Sequence, residues 1–224
     1  MPKLRFLGHA CFLIEGENQP ALLFDPFLTG NPLAAVSAEE VKADYILVSH
    51  AHADHLGDAF SIARNNEASI ISTAEIAGEA EAQDVKSHAM HIGGKHAFPF
   101  GHVKLTVALH GSGIAGGHAC GFVVNYYGKQ IYFAGDTGLF GDMKLIGELN
   151  ALDLALLPIG DNFTMGIEDA ALAASFLKAP LVIPFHYNTW PVIQAVPEEF
   201  KQLVEKKTTS RCLILAPGES YSWE

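Results

Sequence analysis

The chain has 224 residues, 49 % of them hydrophobic, which is enough for one substantial core and a single domain spanning 1–224. Its 14 Lys and Arg face 25 Asp and Glu, a formal net charge of −11 that argues against broad nucleic-acid binding. Cys11, Cys120 and Cys212 are far apart and odd in number, which argues against a disulfide framework and suits buried thiols in a reducing cytoplasm.

Short apolar strands alternate with helices along the chain, an α/β pattern. Residues 3–7 and 11–15 read as a hairpin, followed by a strand at 21–25. Ser37-Ala38-Glu39-Glu40 has the form of a capping box that opens a short helix. The spacing then predicts a strand at 45–49, a helix at 58–66, a strand at 69–72 and an Ala/Glu-rich helix at 73–83. Residues 102–110 read as a strand, and 122–126 with 130–134 as a hairpin around Tyr127-Gly128-Lys129. Beyond these come a helix at 143–149, a strand at 152–157, an amphipathic helix at 168–178, a strand at 181–185 and a helix at 198–206. Strands at 212–215 and 221–223 are expected to close a sheet. No run approaches eighteen apolar residues, and the first nine residues lack a signal-peptide core, so no membrane span and a cytoplasmic location are expected.

The most informative string is His50-Ala51-His52-Ala53-Asp54-His55, four potential metal ligands in six residues, just beyond the apolar run Tyr45-Ile46-Leu47-Val48. Neutral imidazole and carboxylate together suit Zn²⁺, Mn²⁺ or Fe. Three imidazoles and a carboxylate crowded at a surface gain nothing without a cation. Three later residues repeat the setting, each at the end of an apolar strand: His110 after Leu105-Thr106-Val107-Ala108-Leu109, Asp136 after Ile131-Tyr132-Phe133-Ala134-Gly135, and His186 after Leu181-Val182-Ile183-Pro184-Phe185. Such placement points to convergence on one rim of a sheet. The Gly-rich stretch 111–117 reads as a loop of that site, with Ser112 as an ordinary loop residue. His88, His91, His96, His102 and His118 fit no ligand spacing and read as surface or loop histidines.

This ligand set, with Asp136 in Ala134-Gly135-Asp136-Thr137, resembles the metallo-β-lactamase superfamily over nearly the whole chain. More narrowly, it is similar to the metal-dependent hydrolases related to L-ascorbate-6-phosphate lactonase. The strings that carry this are Gly8-His9-Ala10-Cys11-Phe12, Phe24-Asp25-Pro26-Phe27, residues 134–143, residues 157–166 and Pro184-Phe185-His186-Tyr187-Asn188-Thr189. The resemblance implies an αββα four-layer sandwich, two mixed β-sheets flanked by helices. It also implies two divalent metal ions, zinc first, with manganese and iron as alternatives. His50, His52 and His110 are then expected on the first ion, Asp54, His55 and His186 on the second, with Asp136 bridging.

A metal-bound hydroxide on such a centre is expected to cleave a small ester, lactone or phosphate ester, with Asp54 as ligand and proton acceptor. The alternatives are a phosphodiesterase or nuclease on the same centre and a non-hydrolytic di-iron redox protein. Asp25 and His9 are the candidates to support the ligands, and Asp161, Asn162, Thr164 and Asn188 to contact substrate or to form turns and caps. Phe163, Tyr187 and Trp190 read as a pocket wall or as core. The expected partner is a small-molecule substrate. No membrane partner is expected, and the mean hydropathy of +0.19 permits a homo-oligomer.

Overall fold

A computed structural model describes residues 1–223. Its elements in chain order are β1 (Lys3–Gly8), β2 (Cys11–Gly16), β3 (Gln19–Phe24), β4 (Tyr45–Leu47), α1 (Ala53–Leu56), α2 (Ala59–Asn66), β5 (Ser69–Thr73), α3 (Ala74–Ala82) and β6 (Ser87–Met90). Then come β7 (Lys95–Phe98), β8 (Gly101–Val107), β9 (Cys120–Tyr126), β10 (Lys129–Phe133), α4 (Met143–Asn150) and β11 (Leu154–Pro158). The last are α5 (Ile167–Leu177), β12 (Leu181–Phe185), α6 (Pro197–Lys207), β13 (Arg211–Cys212) and β14 (Ser220–Ser222). The chain divides into two compact units, one made of residues 1–91, 111–119 and 215 onward, the other of 92–110 and 120–214.

The first unit is built on a mixed sheet in the order β14-β1-β2-β3-β4-β5-β6. β14, β1, β2 and β3 pair antiparallel, with β1 and β2 joined by the tight turn at His9-Ala10. β3, β4, β5 and β6 run parallel. Parallel neighbours need a crossover, and α2 and α3 supply it after β4 and β5. Ile46 and Ile70 on the strands, and Val48 just past β4, pack with Ala59, Ile62, Ile76 and Ala80 on the two helices. The predicted capping box forms, with Glu40 accepting from the Ser37 N–H (2.8 Å), although it opens a single 3₁₀ turn.

The second unit repeats the plan. Its sheet runs β13-β12-β11-β10-β9-β8-β7, antiparallel from β7 to β10 and parallel from β10 to β13. α4, α5 and α6 are the crossovers. α5 buries Ala170, Ala171, Ala173 and Ala174, and such small side chains let helices approach closely. Gly147 on α4 completes that approach: a Cβ there would stand 2.5 Å from the Leu177 carbonyl oxygen.

Two mixed sheets with flanking helices are what the sequence predicts, and most elements fall within two residues of their expected bounds. Three differences are informative. The strands expected to close one sheet belong to two: β13 edges the second, while β14 lies beside β1 in the first. β6 and β7 are absent from the prediction. The metal motif contains its own helical turn, α1.

Cys11, Cys120 and Cys212 are thiols, and all three are buried. Burial, with Asp25 and Asp58 nearby, holds the Cys11 thiol well above its ordinary pKa. Burial and Glu205 push Cys212 up to about 12, against a smaller opposing effect of Lys201. A raised folded-state pKa keeps a thiol protonated and unreactive at neutral pH. Ellman's reagent at pH 8 is therefore expected to find no fast-reacting thiol in the native protein and all three in denaturant. Among the described residues, no helix is long and apolar enough to cross a membrane.

Candidate metal centre

In the first unit the parallel strands β3 and β4 end side by side, the Asp25 N–H donating to Leu47 O (3.0 Å). The chain turns there with Asp25 at φ 38°, which carries the carboxylate across to the next strand. Asp25 is fully buried. Its Oδ1 accepts from the Ser49 N–H (2.7 Å), and its Oδ2 from the Ser49 hydroxyl (2.6 Å) and His55 Nδ1 (2.7 Å). With its proton committed to Asp25, Ser49 Oγ accepts from His50 Nδ1 at 2.9 Å. Both imidazoles thus carry their proton on Nδ1 and present Nε2 as a lone pair, the arrangement a metal-binding histidine needs.

His50 Nε2 lies 3.0 Å from His52 Nδ1. Two ring nitrogens at that distance share either a proton or a cation. The α1 turn opens with the His55 N–H donating to His52 O (3.0 Å) and carries Asp54 and His55. Asp54 Oδ2 stands 3.6 Å from His55 Nε2 and 3.2 Å from His9 Nε2. His9, Asp54 and His55 each offer a ligand atom, all within 4.8 Å of one another. The Gly-rich loop packs on the same segment, Ser112 O accepting the Ala51 N–H (2.7 Å). Gly113 is required there: its φ is +70°, and a Cβ would stand 2.7 Å from the His52 nitrogen. The Ser112 hydroxyl is spent on Ile114 O (2.7 Å), as expected of a loop residue.

In the second unit His110, Asp136 and His186 follow β8, β10 and β12. The first two loops are tied together: Leu109 N–H donates to Thr137 Oγ1 (2.9 Å) and Gly138 N–H to Leu109 O (3.2 Å). Asp136 is buried, and its Oδ2 lies 3.0 Å from His186 Nε2 and 3.7 Å from His110 Nε2. One carboxylate oxygen thus faces two imidazoles. Gly160 lies so close to the His186 carbonyl that a Cβ would collide with it.

The remaining candidates divide. His9 and Asp25 touch ligand residues. Asp161, Asn162, Thr164 and Asn188 shape turns: Asp161 Oδ1 accepts the Asn162 N–H (2.8 Å), the Thr164 hydroxyl donates to Met165 O (3.3 Å), and Asn188 Oδ1 accepts the Ala195 N–H (2.9 Å). Phe163 is exposed, whereas Tyr187 packs on the core of the second unit. Burial, with Glu198 nearby, pushes the Tyr187 hydroxyl up to about 12. Ser49 is the participant that spacing alone misses. Its signal is position, between the strand and the first histidine.

His9, Asp25, Asp161, Asn162, His186 and Asn188 all have positive φ. Left-handed backbone at a non-glycine residue costs about 1–3 kcal/mol each, and such strain concentrates at functional sites. The donors are imidazole nitrogens and carboxylate oxygens without thiolate, which fits a divalent cation such as Zn²⁺, Mn²⁺ or Fe²⁺.

Residues 21–187 match the model of the beta-lactamase superfamily domain. The chain belongs to the metallo-β-lactamase superfamily. It is 56 % identical over 219 residues to a UPF0173 metal-dependent hydrolase of Natranaerobius thermophilus, covering 97 % of this chain and 98 % of that one. A UPF0173 metal-dependent hydrolase of Pelotomaculum thermopropionicum is 56 % identical over 226 residues, with 97 % and 98 % covered. Among solved structures, Igni18, described as a novel metallo hydrolase of the hyperthermophilic archaeon Ignicoccus hospitalis, matches with a TM-score of 0.92 and 38 % identity. That match covers 100 % of this chain and 99 % of Igni18, so the superfamily's fold runs through the whole chain.

Proposed function

We propose that this chain holds a binuclear metal centre, which hydrolyses a small ester, lactone or phosphate ester. His50, His52 and His110 would hold one cation, Asp54, His55 and His186 the other, and Asp136 would bridge them. The observation that carries this reading is the Asp25–Ser49 relay, which fixes two buried imidazoles with Nε2 available to a cation. When bound, the cations supply Lewis acidity at the substrate's carbonyl or phosphoryl oxygen and acidify coordinated water. The protein's own groups do the rest. Asp54 is the partly exposed carboxylate of the set, and His9 holds its Oδ2, placing that oxygen to take a proton from the attacking water.

Zinc is the first candidate, and the nitrogen and oxygen donors keep manganese and iron open. Relatives named metal-dependent hydrolases support hydrolysis over redox chemistry. The net charge of −11 favours a small substrate over a phosphodiester polymer. The test is a paired assay on metal-reconstituted protein, a sugar-phosphate lactone against a generic phosphodiester, with Asp136→Ala as control. Lactone turnover that disappears in the variant is expected. Phosphodiester turnover alone would overturn the substrate preference.

A further inference from the structure

Between the loops of the second unit that carry Asp136 and His186 stands a third, residues 160–166, which follows β11. β11 is the middle strand of the parallel set β10, β11 and β12, so its loop leaves the sheet between the other two. Both neighbours hold it. The Ile159 N–H donates to Phe185 O (3.1 Å), and Gly160 lies against the His186 carbonyl. On the other side the Met165 N–H donates to Thr137 O (2.9 Å), one residue past Asp136. The turn also closes on itself, with the Asp161 N–H on Met165 O (3.1 Å) and the Thr164 N–H on Asp161 O (3.2 Å). Asp161 at φ 59° and Asn162 at φ 51° lead into its tip, Phe163. Of fourteen phenylalanines in the chain, Phe163 alone is exposed among the described residues, at 53 %. Leaving a phenyl ring in water forgoes the gain of burying it, and the left-handed backbone before it adds strain. A single exposed apolar residue is ordinary on a surface, but this one stands on a pinned turn beside two ligand loops.

We propose that Phe163 is a specificity-determining residue, its ring taking the apolar part of the substrate beyond the bond that is cleaved. This rests on the hydrolase reading above and narrows the substrate class to esters and lactones that carry an alkyl chain or a ring. The ring supplies apolar contact and, to an aromatic group, stacking. The polar neighbours are committed to the turn: Asp161 Oδ1 accepts the Asn162 N–H, and the Thr164 hydroxyl donates to Met165 O. The pinning matters because a platform held in place costs little ordering when substrate binds.

The test uses the zinc-loaded full-length protein. Calorimetry compares acetate with hexanoate, which offer a cation the same carboxylate and differ only in the alkyl chain. Hexanoate is expected to bind about tenfold more tightly, and Phe163→Ala to shrink that ratio to about twofold or less. Phe163→Tyr keeps the ring and should keep the ratio. Turnover compares δ-valerolactone with δ-decalactone, its pentyl-substituted form. Phe163→Ala should raise KM for δ-decalactone about tenfold with kcat and bound zinc little changed, since a contact made equally in ground and transition states appears in KM. A ratio that survives Phe163→Ala, wild-type protein that does not distinguish the two acids or binds neither, or loss of zinc from the variant would overturn the proposal. Binding of both acids without turnover of either lactone would instead overturn the ester and lactone reading, and the ratio of the acids would still decide the role of Phe163.

Discussion

Asp136→Ala is expected to remove at least one metal ion per chain and to lower kcat/KM at least about a thousandfold, since a metal centre supplies several kcal/mol of transition-state stabilisation. The reasoning is local. Asp136 Oδ2 stands against both His186 and His110, so no other carboxylate of the second cluster can replace it. The variant is also expected to lose up to about 3–5 kcal/mol of stability, because buried His186 loses that carboxylate, so folding is checked alongside. Metal analysis and circular dichroism on the same sample separate the two effects. Full activity in a folded Asp136→Ala protein would remove the bridge from the account.

Asp25→Ala is expected to act on stability and metal together. It deletes the acceptor of three short hydrogen bonds and leaves the Ser49 N–H, the Ser49 hydroxyl and His55 Nδ1 buried. Breaking a buried charged network of this kind costs about 3–5 kcal/mol. For a chain of this length that corresponds to a melting temperature lower by about 10 °C. Metal affinity should fall about 10- to 100-fold, because His55 and, through Ser49, His50 lose the group that fixes their tautomer. Asp25→Asn keeps the turn, since asparagine tolerates positive φ, and should retain more stability than metal affinity. Calorimetry and metal titration give the two readouts. Unchanged affinity in Asp25→Asn would show that the tautomer is set elsewhere.

Much of this site is legible in the chain because the relevant physics is local. A buried strand reads as an apolar run, and its carboxyl end is where a ligand-bearing loop begins, so His110, Asp136 and His186 stand out by position. The His50–His55 string stands out by composition. The rest depends on pairing between distant segments. That β3 and β4 end side by side decides the role of Asp25, and nothing in the spacing between residues 25 and 49 encodes it. Ser49 is an unremarkable residue until Asp25 and His50 flank its hydroxyl. The left-handed backbone at His9, Asp25 and His186 is invisible for a similar reason: histidine and aspartate adopt it only when surrounding contacts force it. β6 and β7, only four residues each, owe their form to neighbouring strands, and β7 has three exposed residues in four. α1 is one turn hidden inside a ligand motif. The division of the last two strands between two sheets is a fact of topology that short apolar segments cannot carry.

The most direct test of the proposed binuclear centre is electron paramagnetic resonance of the protein loaded with Mn²⁺. The account predicts two ions per chain and an exchange-coupled spectrum, as a binuclear centre would give. Two uncoupled six-line signals, or a single ion per chain, would contradict it.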